Sequence, residues 1–457
     1  MQNSLFSDFP GVPEKQWKQK IQVELDGADY NETLLTRTPE DINIKPFYCA
    51  TNGKEPQISV NPKWNICEKI YVTQEAGANA KALRNIQKGT GSLHFILPDN
   101  TTDFSALFKD FPFKSIKLHL EPQFLSASYV RDIIAFFSDK EAKLHLHIDI
   151  IGHLAQTGNW YNSLKDDMKA FEEIHTLASS CPQIITNVAI NTSLYQNAGA
   201  NMVQQLAYAM AHANEYLNIL DGKAFKPCFL TSVGSNYFFE IAKLKALRLL
   251  WGTVAEAYNN HHEAHVYCIP TKRNKTLYDY NVNMLRTTTE YMSAIIGGSN
   301  TICTLLYDAI YHKNNEFAGR IARNQLLILK HESYFDKVRN PSDGSYYMES
   351  ITDEMAEKAL TLFKQIESGG GFLQQLKDHV IQKKIKENAL KEQQAFDAGQ
   401  KILVGTNKYQ NEEDQMQDQL ELYPFVKTEV RKTLIAPIIE QRIAETSEQQ
   451  RLKTESK

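Results

Sequence analysis

The chain has 457 residues, 42% hydrophobic and 23% charged, enough for one large domain with extensions or for two domains. A formal net charge of −4 gives no electrostatic reason to expect nucleic acid or an anionic membrane as a partner. No apolar run reaches transmembrane length, the N-terminal segment lacks a basic-then-apolar signal layout, and the six scattered cysteines form no CxxC pair, so the expectation is a soluble cytoplasmic protein with buried free thiols.

Residues 1–63 read as an N-terminal arm and extended linker. Pro13 precedes a helix that places Trp17, Ile21 and Leu25 on one face and ends at Gly27. An isolated helix of that length is marginal in water, so its apolar stripe must pack on the barrel or on another subunit. Residues 64–352 alternate helix and strand. Strands are predicted at 92–97, 115–120, 143–151, 187–192, 227–230, 264–270, 301–307 and 345–349, and each but the last is followed by a helix. Those helices include 75–87 before the first of these strands, then 103–109, 128–137, 160–180, 201–217, 237–258, 282–296 and 317–329, with Gly297-Gly298 a natural helix stop. With no GxGxxG or GxxxxGK[ST] turn, the alternation favours an α/β fold of the (β/α)8 TIM-barrel type over an open doubly wound sheet. Residues 353–457 read as a C-terminal helical extension: helices at 355–368 and 372–401, an extended piece at 402–409, a last helix near 439–446 and a frayed polar tail after Ser447.

Three groupings invite chemistry. His145, His147 and Asp149 alternate along one predicted strand face, the pattern of a His-x-His metal site on a barrel strand. Further ligands at strand ends are not evident, so no metal is expected, and a metal-dependent barrel hydrolase stands only as a third reading. His261-His262-Glu263-Ala264-His265 is not an HExxH motif and reads as a solvated loop. Arg286 and Glu290, four apart on a helix, can pair along it, and the intervening threonines, poor helix formers, point to a polar contact surface.

The stretch 280–349 resembles adenosylcobalamin-dependent methylmalonyl-CoA mutase in its NxxRTTxExxxAxxGG block, its RIARNxxLIL helix and its GSYYxE turn. The resemblance extends to WKQKIQVELDGADY near the N-terminus, to 198–217, to 238–251 and to ILVGTNKY at 402–409. It implies a barrel that threads CoA along its axis. Departures from the family pattern bear on activity. The segment Trp64–Asn79 puts Lys69 where catalytic chains carry a pocket tyrosine and Cys67 where they carry an arginine. Ser193 and Leu194 stand where those chains carry a Tyr-His pair, and leucine cannot donate a proton to a thioester oxygen. Glu290 matches the glutamate that faces the cofactor's ribose, but no DxHxxG cobalt-ligand motif occurs in the 457 residues.

The segment IDIIGHLAQTGNW at 148–160 is similar to the small, non-catalytic subunit of the bacterial heterodimer. The resemblance therefore implies a small (beta) subunit without a cobalamin-binding domain. It implies a large (alpha) partner subunit carrying adenosylcobalamin, with no cofactor expected on this chain. The alternative is a degenerate barrel that still binds an acyl-CoA, with His145, His147 and Asp149 as candidate substrate-facing residues.

Overall fold

In strand after strand an apolar residue facing the helices alternates with a polar one facing the barrel axis, as in Ser92-Leu-His-Phe-Ile-Leu97, Lys117-Leu-His-Leu-Glu-Pro122 and Lys143-Leu-His-Leu146. The computed structural model describes residues 11–49, 63–427 and 430–455. Strands β1 (Thr36–Arg37) and β2 (Asn43–Ile44) form a small antiparallel ribbon in the arm. The barrel comprises β3 (Asn65–Tyr71), β4 (Ser92–Leu97), β5 (Lys117–Pro122), β6 (Lys143–Leu146), β7 (Ile184–Thr186), β8 (Val188–Asn191), β9 (Pro227–Val233), β10 (His265–Pro270) and β11 (Thr301–Cys303). All its pairings are parallel, in the order β7-β6-β5-β4-β3-β11-β10-β9-β8. Only Asn187 separates β7 from β8, so the two form one broken stave that meets β6 on one side and β9 on the other, closing the barrel at eight staves. The fold is the TIM barrel of the sequence reading.

The main core lies between the strands and the helices around them. Leu93, Phe95, Leu118, Leu120, Leu144 and Leu146 are fully buried in one cluster with helix residues such as Ile133, Phe137 and Leu154. Each such side chain contributes about 1.5–3 kcal/mol of burial. The barrel interior forms a separate, smaller cluster around Cys67, Cys228, Tyr267 and Cys303. One buried ion pair also links the layers: Arg323, on the helix Glu316–His331, reaches Glu68 of β3 with its Nε 2.6 Å from Oε1.

Several local expectations are corrected. Asn65–Tyr71, whose charged centre hid its strand character, is the first stave. Residues 345–349 are not a strand: Ser345 caps the helix Tyr346–Ser368, and its Oγ accepts from the Met348 amide. The strand predicted to run to Ile151 ends at Leu146, because the Asp149 carboxylate caps a new helix, Ile150–Thr157. Residues 193–197 form a short helix that was not predicted. The long helix of 372–401 is broken at His379, whose left-handed backbone (φ 59°) separates Phe372–Lys377 from Val380–Asp397. Residues 402–409 form turns, with one bridge between Val404 and Lys408. Part of the predicted linker, residues 50–62, lies outside the described residues.

The C-terminal segment is not a frayed tail. It crosses the mouth formed by the carboxyl ends of the strands, the face on which TIM barrels carry their chemistry. The Ile435 amide donates to the Gly158 carbonyl, Ile438 to Ala155, Gln441 to Asn197 and Ile443 to Arg273, so the strap touches loops that follow β6, β8 and β10. Gly158 is required there: its φ is +80°, and a Cβ would sit 2.6 Å from the Ile435 carbonyl oxygen. The helix Glu445–Glu455 follows, and its Glu448 is buried.

Candidate functional site

Register assembles the barrel interior. Lys69 of β3 pairs with His94 of β4, His94 with His119 of β5, and His119 with His145 of β6. The inward positions of four adjacent staves thus form one ring of nitrogen-bearing side chains, where TIM barrels usually stack branched aliphatics. His147 and Tyr267 pack against the ring, and His265, the first residue of β10, approaches His145 with 4.2 Å between ring centroids. His94, His119, His145, His147 and Tyr267 are all buried.

The polar atoms of this interior form chains. His94 Nδ1 is 2.9 Å from the Tyr267 hydroxyl, and its Nε2 is 2.8 Å from Glu121 Oε2. His119 Nδ1 is 3.0 Å from His147 Nε2, and His145 Nδ1 is 3.0 Å from Thr186 Oγ1. His265 Nε2 is 3.0 Å from Thr301 Oγ1. Burial, reinforced by neighbouring cations and imidazoles, holds the histidines neutral: His145 is pushed down to about 3, and His119, His147 and His265 lie well below the ordinary imidazole value. Glu121 shows the opposite balance. Burial raises its pKa, but the His94 contact and the Lys69 ammonium outweigh it and keep the carboxylate ionised. Lys69 itself stays protonated, because attraction to charged groups, the Glu121 carboxylate first among them, more than offsets its desolvation.

The positions singled out in the sequence fall in separate places. His145 and His147 line the axis, but Asp149 does not join them. It sits past the strand end as a helix cap, accepting from the Gly152 and Asn191 amides at 2.7 and 2.9 Å, from the Tyr216 hydroxyl at 2.6 Å and from His212 Nε2 at 2.9 Å. Of the 261–265 run, His261, His262 and Glu263 are exposed loop, whereas His265 enters the barrel. His94, His119, Glu121 and His265 were missed as site residues. A signal existed, since Ser92-Leu-His94, Lys117-Leu-His119 and Lys143-Leu-His145 repeat one pattern at the start of three successive strands.

Ser193 and Leu194 open the short helix after β8. Leu194 is buried in the apolar core, while Ser193 Oγ bonds the Ser232 hydroxyl and accepts from Asn197 Nδ2 at 3.3 Å. Glu290 does not pair with Arg286. Its two carboxylate oxygens take Lys275 Nζ at 2.9 and 2.8 Å, and Oε1 also accepts from Asn274 Nδ2 at 2.7 Å. Glu290 is fully buried. Arg286 instead donates to Thr276 Oγ1, Asn283 Oδ1 and the Val404 carbonyl. Thr287 and Thr288 accept from Gln325 of the neighbouring helix, which is the polar contact surface expected of them.

Among the described residues, no helix is long and apolar enough to cross a membrane. A family model described as Methylmalonyl-CoA mutase matches residues 98–455. The chain is 32% identical over 450 residues to "Methylmalonyl-CoA mutase small subunit" of Porphyromonas gingivalis, covering 89% of this chain and 71% of that protein. It is 26% identical to "Methylmalonyl-CoA mutase" of Rhizobium meliloti, over 89% of this chain and 65% of that one. It is also 26% identical to "Methylmalonyl-CoA mutase small subunit" of Streptomyces virginiae, over 83% of this chain and 67% of that one. The chain thus spans about two thirds of the length of these relatives.

Proposed function

Because the chain belongs to the methylmalonyl-CoA mutase family, we propose that it is the small (beta) subunit of a heterodimeric mutase, inactive by itself and supporting a large subunit that binds adenosylcobalamin and interconverts (R)-methylmalonyl-CoA and succinyl-CoA. The observation that carries this reading is the filled barrel axis. A CoA thioester threaded along it would have to displace the buried His94, His119, His145, His147 and Tyr267 together. Packed interiors resist such displacement, because each removed contact and each broken buried hydrogen bond costs free energy.

The polar positions support the same reading. Leu194 offers no proton where catalytic chains carry histidine, and Lys69 replaces the pocket tyrosine. Glu290, matched to the cofactor-facing glutamate, is occupied by Lys275 and Asn274, so a ribose hydroxyl would have to break a buried ion pair to reach it. The strap over the carboxyl ends of the strands covers the face a corrinoid would approach. These residues do not fit adenosylcobalamin, and no catalytic step is assigned to them. Its role is to fold as a rigid barrel against the partner, with the arm as the crossing element.

Titration of the isolated chain with methylmalonyl-CoA and succinyl-CoA by calorimetry tests the filled axis. The expected result is no binding at micromolar concentrations. Micromolar binding would favour the alternative, a degenerate barrel that keeps an acyl-CoA site.

A further inference from the structure

We propose that His119, His145 and His265 form a binding site for one divalent transition-metal ion, Zn2+ being the chemical type, inside the amino-terminal half of the barrel. Each histidine offers one ring nitrogen, and these three atoms lie within 4.8 Å of one another. The other nitrogen of each ring is held by a different partner. His145 Nδ1 meets the Thr186 hydroxyl, His265 Nε2 meets the Thr301 hydroxyl, and His119 Nδ1 meets His147, each at 3.0 Å. With protons on those held nitrogens, His119 and His145 present lone pairs on Nε2 and His265 on Nδ1. This resembles the outer shell of metal-ligating histidines, in which the second nitrogen fixes the tautomer and limits the ring's rotation.

An independent observation points to a ligand. His119 Nε2 and His145 Nε2 are buried and have no hydrogen-bond partner, a costly condition for a polar atom in a core. Neutral imidazoles in a nitrogen-only set of three suit a borderline ion such as Zn2+ better than a hard cation such as Ca2+ or Mg2+. His265 is only partly buried and supplies the entry path. Two features oppose the ion. The rings of His119 and His145 lie stacked, 4.4 Å between centroids and 9° between planes, so both must swing about χ2 to bring their lone pairs to the roughly 3.4 Å edge of a tetrahedral site. The Lys117 ammonium also acts on His145 and His265 and repels a cation.

A second cluster, His94, Glu121 and His147, carries less. His94 Nδ1 is held by the Tyr267 hydroxyl, and its Nε2, like His147 Nδ1, lacks a well-aligned hydrogen bond, but Nε2 faces Glu121 Oε2 at 2.8 Å as a direct pair that an ion would have to open. The three-histidine site lies early in β5, β6 and β10, away from the carboxyl-end loops where barrel enzymes act. The ion would therefore tie β5, β6 and β10 together, without making the chain a hydrolase.

The test uses the full chain, stripped with a chelator and titrated with Co2+ and then Zn2+. The expected result is one equivalent bound, with the intense visible bands of tetrahedral Co2+ and a raised melting temperature. His265→Ala, at the partly exposed amino-end rim of the barrel where folding is least at risk, is expected to lose the bands and the bound equivalent. Thr301→Val is expected to weaken binding roughly 10- to 100-fold through the outer shell. Lys117→Met is expected to bind more tightly, and the paired surface change His261→Ala with His262→Ala to bind as the native chain does. Absence of a bound equivalent, or an equivalent retained with unchanged spectrum in a folded His265→Ala chain, would overturn the proposal.

Discussion

Lys275 Nζ lies 2.8 Å from Glu290 Oε2, and both side chains are fully buried, so the carboxylate proposed to match the family's cofactor-facing glutamate is closed by an internal ion pair. Desolvation raises the Glu290 pKa and lowers that of Lys275, and their mutual attraction opposes both shifts. Removing one partner strands a buried charge. Lys275→Met is expected to cost roughly 3–5 kcal/mol in urea unfolding, and adding Glu290→Leu to recover most of it. A single variant as stable as the native chain would show that Glu290 does not depend on this lysine.

Asp149, a candidate for the axis in the sequence, holds the start of the helix Ile150–Thr157 and the base of His212. Burial raises its pKa, but His212, Tyr216 and the Asn191 amide outweigh that and hold it below the ordinary carboxylate value. A carboxylate whose folded pKa is depressed stabilises the fold above its unfolded pKa and loses that stabilisation as pH falls through the folded value. Asp149→Asn is therefore expected to lose at least about 3 kcal/mol at pH 7, since hydrogen bonds to a charged group contribute about 1.5–3 kcal/mol each. In paired urea melts, the gap between variant and native chain should stay constant down to the ordinary carboxylate value and narrow only below it.

The arm helix Glu14–Glu24 buries none of its residues fully: Ile21 and Leu25 of its apolar stripe are half-buried, while Trp17 stays 48% exposed although it stacks on Phe47 with 4.4 Å between centroids. As an anchor for the large subunit, Trp17→Ala should weaken heterodimer affinity by about 30-fold or more without lowering the melting temperature of the isolated chain. Calorimetry with the purified large subunit reads this. Unchanged affinity after deletion of residues 1–30 would remove the arm from the interface.

The terminal helix is held by Glu448, which accepts from the Leu277 amide at 2.8 Å and lies 2.6 Å from Arg442 Nη1. Glu448→Gln leaves the buried Arg442 uncompensated and is expected to cost roughly 3–5 kcal/mol, with faster amide exchange across 430–455. Native exchange rates in that segment would show that the strap is held elsewhere.

The staves from Ser92 onward were legible because their apolar faces alternate or run together as a barrel requires, and Glu75–Gln87 and Val282–Ile296 match their predicted bounds. The first stave was hidden because Glu68 and Lys69 interrupt it, and each is explained only by a distant partner, Arg323 or Glu121. The final predicted strand failed because Tyr346 and Tyr347 favour strands locally, while Ser345 caps a helix. The histidine ring depends on register between strands, which no single segment carries, although the repeated Leu-His pairs announced it. The docking of the last helix rests on Glu448 and Glu455 accepting amides from segments far earlier in the chain or outside the helix, which composition alone reads as a polar tail.

The most direct test of the central claim is mutase activity of the candidate large subunit, purified with and without this chain, alongside the chain alone supplied with adenosylcobalamin. The account predicts no turnover by this chain alone, co-purification of the two chains, and a large subunit that loses activity or stability when the small one is withheld. Turnover of methylmalonyl-CoA by this chain alone, or a large subunit fully active and stable without it, would contradict the account.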